Sequence, residues 1–155
     1  MPENWSAYPV VTVATFATVA LVIVLHYEGL LALGRQHARR RQRGDHLVGR
    51  RSVLKVMAGL FVLHVAEIWA FGFAYWGLLH WPGAGQLQGA MPFNLLECVY
   101  LSAVTFTTVG FGDLAPVGPI RFLAGTEALT GFMLITWSAS FTYLQMERHW
   151  RDDAR

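Results

Sequence analysis

The sequence predicts an all-α membrane protein with three transmembrane helices and one re-entrant segment made of a short helix and a loop. Its 155 residues are 54% hydrophobic and only 14% charged, whereas charged residues make up roughly 25% of an average soluble domain. Three apolar stretches are long enough to cross a bilayer, which takes about 20 residues each. The stretch between the second and third is also apolar, but its many glycines and prolines exclude a fourth continuous spanning helix.

The first span is predicted within residues 1–34. No Asp, Glu, Lys or Arg occurs in residues 4–27, which is the pattern of a transmembrane helix. A cleaved secretory signal is the alternative interpretation. The flank before the apolar run contains Glu3 and no Lys or Arg, and the run is long for a signal peptide. We therefore expect this segment to remain as a span.

The second and third spans are predicted at residues 56–81 and 122–146. Glu67 is the only charged residue in the former, and Glu127 is the only one in the latter. Charged side chains inside a membrane are costly and usually face protein or water. We therefore expect both carboxylates to lie against other helices rather than against lipid.

The basic residues predict the orientation of the chain. Eight of the 12 Lys and Arg residues fall in residues 35–55, with Asp45 as the only acid among them. The positive-inside rule places this stretch in the cytoplasm as a basic loop, so the N-terminus lies outside and residues 147–155 form a short cytoplasmic tail. The expected location is the plasma or inner membrane, with the re-entrant segment outside. Three residues would form an outer aromatic belt: Tyr75, Trp76 and Trp81.

The basic stretch itself allows two interpretations. It is either a solvated loop that sets topology, or a surface that contacts anionic lipid headgroups, where each basic residue contributes about 1 kcal/mol. The residues concerned are Arg39, Arg40, Arg41 and Arg43. A nucleic-acid partner is not expected beside two spans, and a voltage sensor would need spaced arginines inside a span.

The motif T-T-V-G-F-G-D stands at residues 107–113 of the re-entrant segment. In an ordinary strand successive carbonyls point in opposite directions, so a row of carbonyls facing one axis needs residues of alternating handedness. Glycine accepts the left-handed conformation at little cost, and Gly110 and Gly112 stand at alternate positions. Val109 and Phe111 then pack away from that axis. Such a row of oxygens replaces the hydration shell of a cation.

This motif resembles the selectivity filter of the potassium channel pore-domain family, in particular of bacterial two-helix and two-pore-domain channels. The resemblance covers an outer helix, a pore helix at residues 93–106, the filter at 107–113 and an inner helix, within a pore domain of residues 56–146. The first span is additional to the two-helix members. The resemblance implies K⁺ as the permeant ion, no other cofactor and no catalysis.

The resemblance also assigns roles to single residues. The implied K⁺ ligands are the carbonyls of Thr108, Val109, Gly110 and Phe111, together with the Thr108 hydroxyl, and Gly112 closes the outer mouth of the same ion-binding segment. The residues expected to support the filter are Thr107, Asp113 and Tyr100.

Two departures from the family pattern concern the restraint of the filter. Phe111 replaces the commoner tyrosine and lacks its hydroxyl, and Tyr100 with Leu101 stands where many relatives have two tryptophans. Val104 occupies a position where some bacterial relatives have a carboxylate partner for the filter aspartate, so Asp113 is expected to lack that partner. We hypothesise that a filter with fewer hydrogen bonds contributes to gating or inactivation.

One filter per chain supplies a quarter of the ligands, so the expected assembly is a homotetramer with fourfold symmetry. Gly131, in the middle of the third span, is either a hinge or a site of close packing. The family alignment implies that four further residues of this span face the inner cavity or lower gate: Phe132, Ile135, Ala139 and Tyr143.

The remaining polar residues have competing interpretations. His64 and Glu67 are three residues apart on one helix face and are expected to form a buried hydrogen-bonded pair, because two ligands are too few for a metal site. Glu97 and Glu127 are expected behind the filter, and Cys98 is expected to be a small buried residue. His80 is an interfacial histidine or a sensor of external pH.

The sequence thus predicts a K⁺-selective channel. A less selective cation channel or a channel subunit is the nearest alternative. A polar residue in place of Phe111 would favour that alternative, and the sequence has none there. An intramembrane enzyme that uses His64 and Glu67 is a distant alternative, since no nucleophile or complete metal-ligand set accompanies them.

Overall fold

The structure is a computed structural model that describes the backbone of residues 7–42, 48–89 and 94–153 and the side chains of residues 7–36, 53–89 and 94–147. Within these described residues, four helices and two short strands follow one another. Their bounds are α1 Ala7–Gln42, α2 Val48–Leu79, β1 Gln86–Gln88, α3 Leu95–Phe106, β2 Ala115–Val117 and α4 Arg121–Asp153.

Helices α1 and α2 pack side by side as a helical hairpin. Both extend beyond the predicted spans, since α1 ends at Gln42 and α2 begins at Val48. Much of the predicted basic loop at residues 35–55 is therefore helical, which corrects the loop assignment. Arg, Gln and Ala are good helix formers, so a charged extension of an apolar helix continues the same backbone. The arginine side chains proposed to meet lipid headgroups lie outside the described residues.

Two glycines allow α1 and α2 to approach closely. A Cβ added at Gly29 would lie 2.6 Å from Leu63 Cδ2, and one added at Gly59 would lie 2.5 Å from Leu33 Cδ2. Each leucine thus occupies the space that a glycine of the other helix leaves open. The first helix is consequently packed firmly onto the second.

The re-entrant segment lies between α2 and α4. Helix α3 begins after Asn94, whose side chain accepts a hydrogen bond from the backbone N–H of Glu97 at 3.1 Å, as an N-cap residue does. It ends at Phe106, where the pore helix was predicted to end. The predicted start at Phe93 lies outside the described residues.

Strands β1 and β2 form an antiparallel pair that the sequence did not predict. Gln86 pairs with Val117, and Gln88 pairs with Ala115. The strands are only three residues long and join the two ends of the re-entrant segment. They hold the entrance to α3 and the exit from residues 107–113 at a fixed separation.

The main hydrophobic core is formed where α2, α3 and α4 meet. It includes the buried side chains of Phe71, Phe106 and Leu123, and α1 adds Val11 and Val22 to the same cluster. The predicted burial of Cys98 is confirmed, because its side chain is fully buried in this core. Helix α3 thus packs its buried face against the longer helices.

Two of the helices described have the length and hydropathy of membrane spans. They cover residues 7–36 and 53–79, and 18-residue stretches within these ranges have mean hydropathies of 2.2 and 1.8. Helix α4 has a lower hydropathy because it contains Glu127 and many Thr and Ser residues. Hydroxyls such as those of Thr130 and Thr136 donate to the carbonyl four residues earlier, so these polar groups are satisfied within the helix.

Candidate functional site: the segment after the pore helix

Residues 107–113, called here the filter segment, have a backbone of alternating handedness. Thr108, Gly110 and Gly112 have φ angles of 59°, 56° and 81°. Within the described residues, Thr108 is the only non-glycine residue with a positive φ. This conformation costs a residue with a Cβ on the order of 1 kcal/mol and is typical of functional sites. The alternation expected at the two glycines therefore begins one step earlier than expected, at Thr108.

Backbone N–H groups of the filter segment donate hydrogen bonds to carbonyls at the end of α3. Gly110 N–H donates to the Val104 carbonyl at 3.0 Å, and Thr108 N–H donates to the Thr105 carbonyl at 2.9 Å. The Thr107 hydroxyl donates to the Ala103 carbonyl at 2.7 Å. These bonds fold the segment back along α3. The C-terminal end of a helix has a partial negative charge, which favours a cation beside it.

Tyr100 of α3 connects the pore helix to the far end of the filter segment. Its hydroxyl donates a hydrogen bond of 2.8 Å to Asp113 Oδ2. Asp113 was expected to lack the carboxylate partner that Val104 replaces, and in the structure the Tyr100 hydroxyl is its hydrogen-bond partner. The bond to Asp113 raises the pKa of the Tyr100 hydroxyl above its ordinary value, because the carboxylate accepts from the protonated hydroxyl.

The exit of the filter segment lies against the β1 end. Gly89 has a φ of 99°, and a Cβ added there would overlap the Asp113 carbonyl oxygen at 1.9 Å. Only glycine fits this close backbone approach. The strand pair therefore positions Asp113 from one side while Tyr100 holds it from the other.

The side chains of the filter segment are exposed in the single chain. Val109 is 54% exposed and Phe111 is 71% exposed. A Cβ added at Gly110 or Gly112 would meet nothing within 4 Å. Apolar side chains that are this exposed in a loop held by hydrogen bonds indicate a surface that another molecule covers.

Glu127 of α4 is fully buried behind α3, as expected, and is hydrogen-bonded there. Tyr75 of α2 donates to its Oε2 at 2.6 Å, and Ser102 of α3 donates to its Oε1. The three side chains form what is called here the Glu127 cluster, which joins the three helices. Tyr75 was predicted in the outer aromatic belt, and this is wrong, because its ring is fully buried. Trp76, on the neighbouring face of α2, is exposed.

Gly131 of α4 contacts the C-terminal end of α3. A Cβ added there would lie 2.2 Å from the Phe106 carbonyl oxygen. This favours the close-packing interpretation over the hinge. The four residues expected to face a cavity share one exposed face of α4, with Phe132 at 62%, Ile135 at 38% and Tyr143 at 61% exposure, and with Ala139 also exposed.

The predicted pair of His64 and Glu67 is present, and the structure adds a third member that sequence reasoning missed. His64 Nδ1 lies 2.8 Å from Glu67 Oε2, and Nδ1 of His26 on α1 lies 2.8 Å from Glu67 Oε1. These three residues are called here the histidine cluster. His80 is exposed near the end of α2, with its Nδ1 2.7 Å from the Trp76 carbonyl. Glu97 lies in the first turn of α3 and is half-buried.

Comparison with known proteins identifies relatives of the part that contains this site. A family model described as "Ion channel" matches residues 57–147. The chain is 26% identical over 97 residues to the inward rectifier potassium channel Kirbac3.1 of Paramagnetospirillum magnetotacticum, covering 62% of this chain and 33% of that protein. It is 38% identical over 53 residues to Protein LctB of Geobacillus stearothermophilus, covering 34% of this chain and 40% of that protein.

A second LctB protein, from Bacillus caldotenax, is 45% identical over 42 residues, which cover 26% of this chain and 31% of that protein. The chain thus spans between about a third and two fifths of the length of these curated relatives. None of the solved structures matches the chain significantly.

Proposed function

The chain belongs to the ion channel family, and we propose that it conducts K⁺ selectively as a homotetramer whose four filter segments surround one axis. The observation that supports this most is the alternating handedness at Thr108, Gly110 and Gly112. Such a backbone turns successive carbonyls toward the same side, where they replace the hydration shell of the ion. The proposed ligands are the carbonyls of residues 108–111 and the Thr108 hydroxyl.

The exposure of the filter segment supports the proposed assembly. A single chain leaves Phe111 71% exposed and provides a quarter of the oxygens that a dehydrated ion needs. Four copies around an axis would cover the phenylalanine rings and complete each ring of oxygens. Closed cyclic symmetry is the usual solution for such an oligomer.

The proposed topology has three spans, α1, α2 and α4, with α3 and the filter segment entering from the outside. Support comes from the eight basic residues between the first two spans and from the internally satisfied hydroxyls of α4. In this arrangement the exposed face with Phe132 and Ile135 would line the inner cavity. An apolar lining there would permit gating by dewetting.

Two glycine variants test the role of the filter segment in K⁺ conduction. A Cβ meets nothing within 4 Å at either Gly110 or Gly77, but Gly110 has a φ of 56° whereas Gly77 lies within α2. Gly110→Ala therefore strains the backbone by about 1–2 kcal/mol, whereas Gly77→Ala favours the helix by up to about 1 kcal/mol.

The measurement is K⁺ efflux from liposomes that contain each purified protein. We expect barium-sensitive efflux for wild type and for Gly77→Ala, and loss of that efflux for Gly110→Ala. Both variants should elute from a size-exclusion column at the same volume as wild type. Unchanged efflux from correctly assembled Gly110→Ala protein would contradict the proposal.

A further inference from the structure

The histidine cluster brings three metal-ligating side chains together at the interface of α1 and α2. One ligand atom from each of His26, His64 and Glu67 lies within 4.8 Å of the others. His26 and Glu67 are fully buried, and the His64 side chain is 19% exposed. We propose that this cluster binds a first-row divalent transition metal ion such as Zn²⁺, and that the ion fastens the first helix to the pore-forming part of the chain. This proposal is independent of K⁺ conduction.

The donor set fits such an ion. Two histidines and one glutamate are the protein ligands of many zinc centres that keep a fourth position for water. Bonds of about 2.0–2.1 Å place the ligand atoms on a tetrahedral ion about 3.3 Å apart. The present separations need to shrink by about 1.5 Å at most, which small side-chain rotations provide. The partly exposed side of His64 offers the route of entry and the place for a fourth ligand.

The hydrogen bonds of His26 favour the form that binds metals. Its Nδ1 faces Glu67, and its buried Nε2 has no hydrogen-bond partner among the described residues. A doubly protonated ring would therefore leave a buried N–H unpaired, which is unfavourable by about 1–3 kcal/mol. A neutral imidazole with its proton on Nδ1 avoids this, and that form leaves the buried Nε2 unprotonated, so this nitrogen is the one that can bind a metal ion.

The buried carboxylate also needs a positive partner. In the described part of the chain, Glu67 forms ion pairs with the two histidines and none with Lys or Arg. A lone carboxylate in an apolar interior is strongly disfavoured. Either a proton held on one histidine or a metal ion satisfies it, and the two cases differ in a measurable way.

The position of the cluster connects the metal to the pore. The centroid of the His26 ring lies 5.3 Å from that of the Trp137 ring of α4. The centroid of the His64 ring lies 5.9 Å from that of the Phe106 ring at the end of α3. An ion here would fix α1 beside both the inner helix and the base of the filter segment.

Cobalt titration of the untagged, chelator-treated full chain in detergent tests the proposal. We expect one Co²⁺ per chain, with the visible absorption of a low-coordinate site, displaced by Zn²⁺. His26→Gln and Glu67→Gln should weaken Co²⁺ binding at least tenfold, whereas His80→Gln, which alters an exposed histidine of the same protein, should not. His64→Cys keeps a ligand and should add sulfur-to-cobalt absorption in the near ultraviolet.

The His64→Cys result stands even if a glutamine variant fails to fold. Absence of Co²⁺ and Zn²⁺ binding to wild type would overturn the proposal in favour of a proton-bridged cluster. Binding that survives both His26→Gln and Glu67→Gln, or a His64→Cys spectrum without the sulfur band, would also overturn it.

Discussion

Tyr100 holds the Asp113 end of the filter segment through one hydrogen bond, from its hydroxyl to Asp113 Oδ2. Phe111 has no hydroxyl with which to add a second bond of this kind. A hydrogen bond to a charged group contributes about 1.5–3 kcal/mol. The conformation of the filter segment thus depends on a small number of contacts, which is the physical basis for the hypothesis that the filter itself takes part in gating.

Tyr100→Phe should destabilise the conducting conformation of the filter segment, because it removes this bond and keeps the ring. We expect the single-channel open probability to fall more steeply in the variant than in wild type as external K⁺ is lowered. Tyr27→Phe, which removes a hydroxyl from α1, serves as the control and should behave as wild type. Open probability that is insensitive to external K⁺ in both wild type and Tyr100→Phe would count against gating at the filter.

The residue types of the filter segment could be interpreted from the sequence, but its full geometry could not. Gly110 and Gly112 indicate left-handed backbone positions, because glycine alone adopts this conformation freely. Thr108 gives no such signal, and its φ of 59° follows from the bonds that fold the segment back onto α3. The bond from Tyr100 to Asp113 also depends on this fold.

At the scale of helices, α3 is positioned by a contact that leaves no room for a side chain. Gly131 of α4 lies against the backbone of Phe106, whereas a Cβ at Gly125, six residues earlier on the same helix, would meet nothing within 4 Å. The same substitution at these two positions therefore has opposite physical effects.

Gly131→Ala should lower the free energy of unfolding by about 1–3 kcal/mol, because the added methyl overlaps backbone. Gly125→Ala should raise it by up to about 1 kcal/mol, since alanine is the better helix former. Thermal unfolding of the purified proteins in detergent measures both. Equal stability of the two variants would contradict the packing role of Gly131 and favour the hinge interpretation.

The Glu127 cluster joins α2, α3 and α4, and its removal should loosen all three. Glu127→Leu leaves the Tyr75 hydroxyl buried without its acceptor, so we expect a loss of stability of about 1–3 kcal/mol. Adding Tyr75→Phe should recover part of that loss, because two apolar partners leave nothing unpaired. Thermal unfolding of Glu127→Leu, Tyr75→Phe and the double variant measures this. If the losses of the two single variants simply add in the double variant, the hydrogen bond does not stabilise the fold.

The contacts between helices could not be predicted from the sequence. The helices were visible in the sequence as apolar stretches, but Glu67 and Glu127 inside them have partners 41 and 52 residues away, at His26 and Tyr75. Such pairs depend on how each helix is rotated about its axis, which the sequence pattern leaves open. The charged helix ends were missed for a related reason, because low hydropathy was interpreted as loop.

At the scale of the whole molecule, the proposed channel needs more than one chain. One chain forms its own packed core, yet it leaves the filter segment and one face of α4 exposed. The first helix packs onto α2 and α4 of the same chain rather than standing apart. We therefore predict that four α1 helices surround the pore while four filter segments select the ion.

Ion selectivity tests this account most directly. The measurement is the reversal potential of single channels in a planar bilayer, with K⁺ on one side and Na⁺ at equal concentration on the other. We predict a strongly shifted reversal potential, of the sign at which K⁺ permeates and Na⁺ is excluded. A reversal potential near zero, showing equal permeability to the two ions, would contradict the central claim and favour a less selective cation channel.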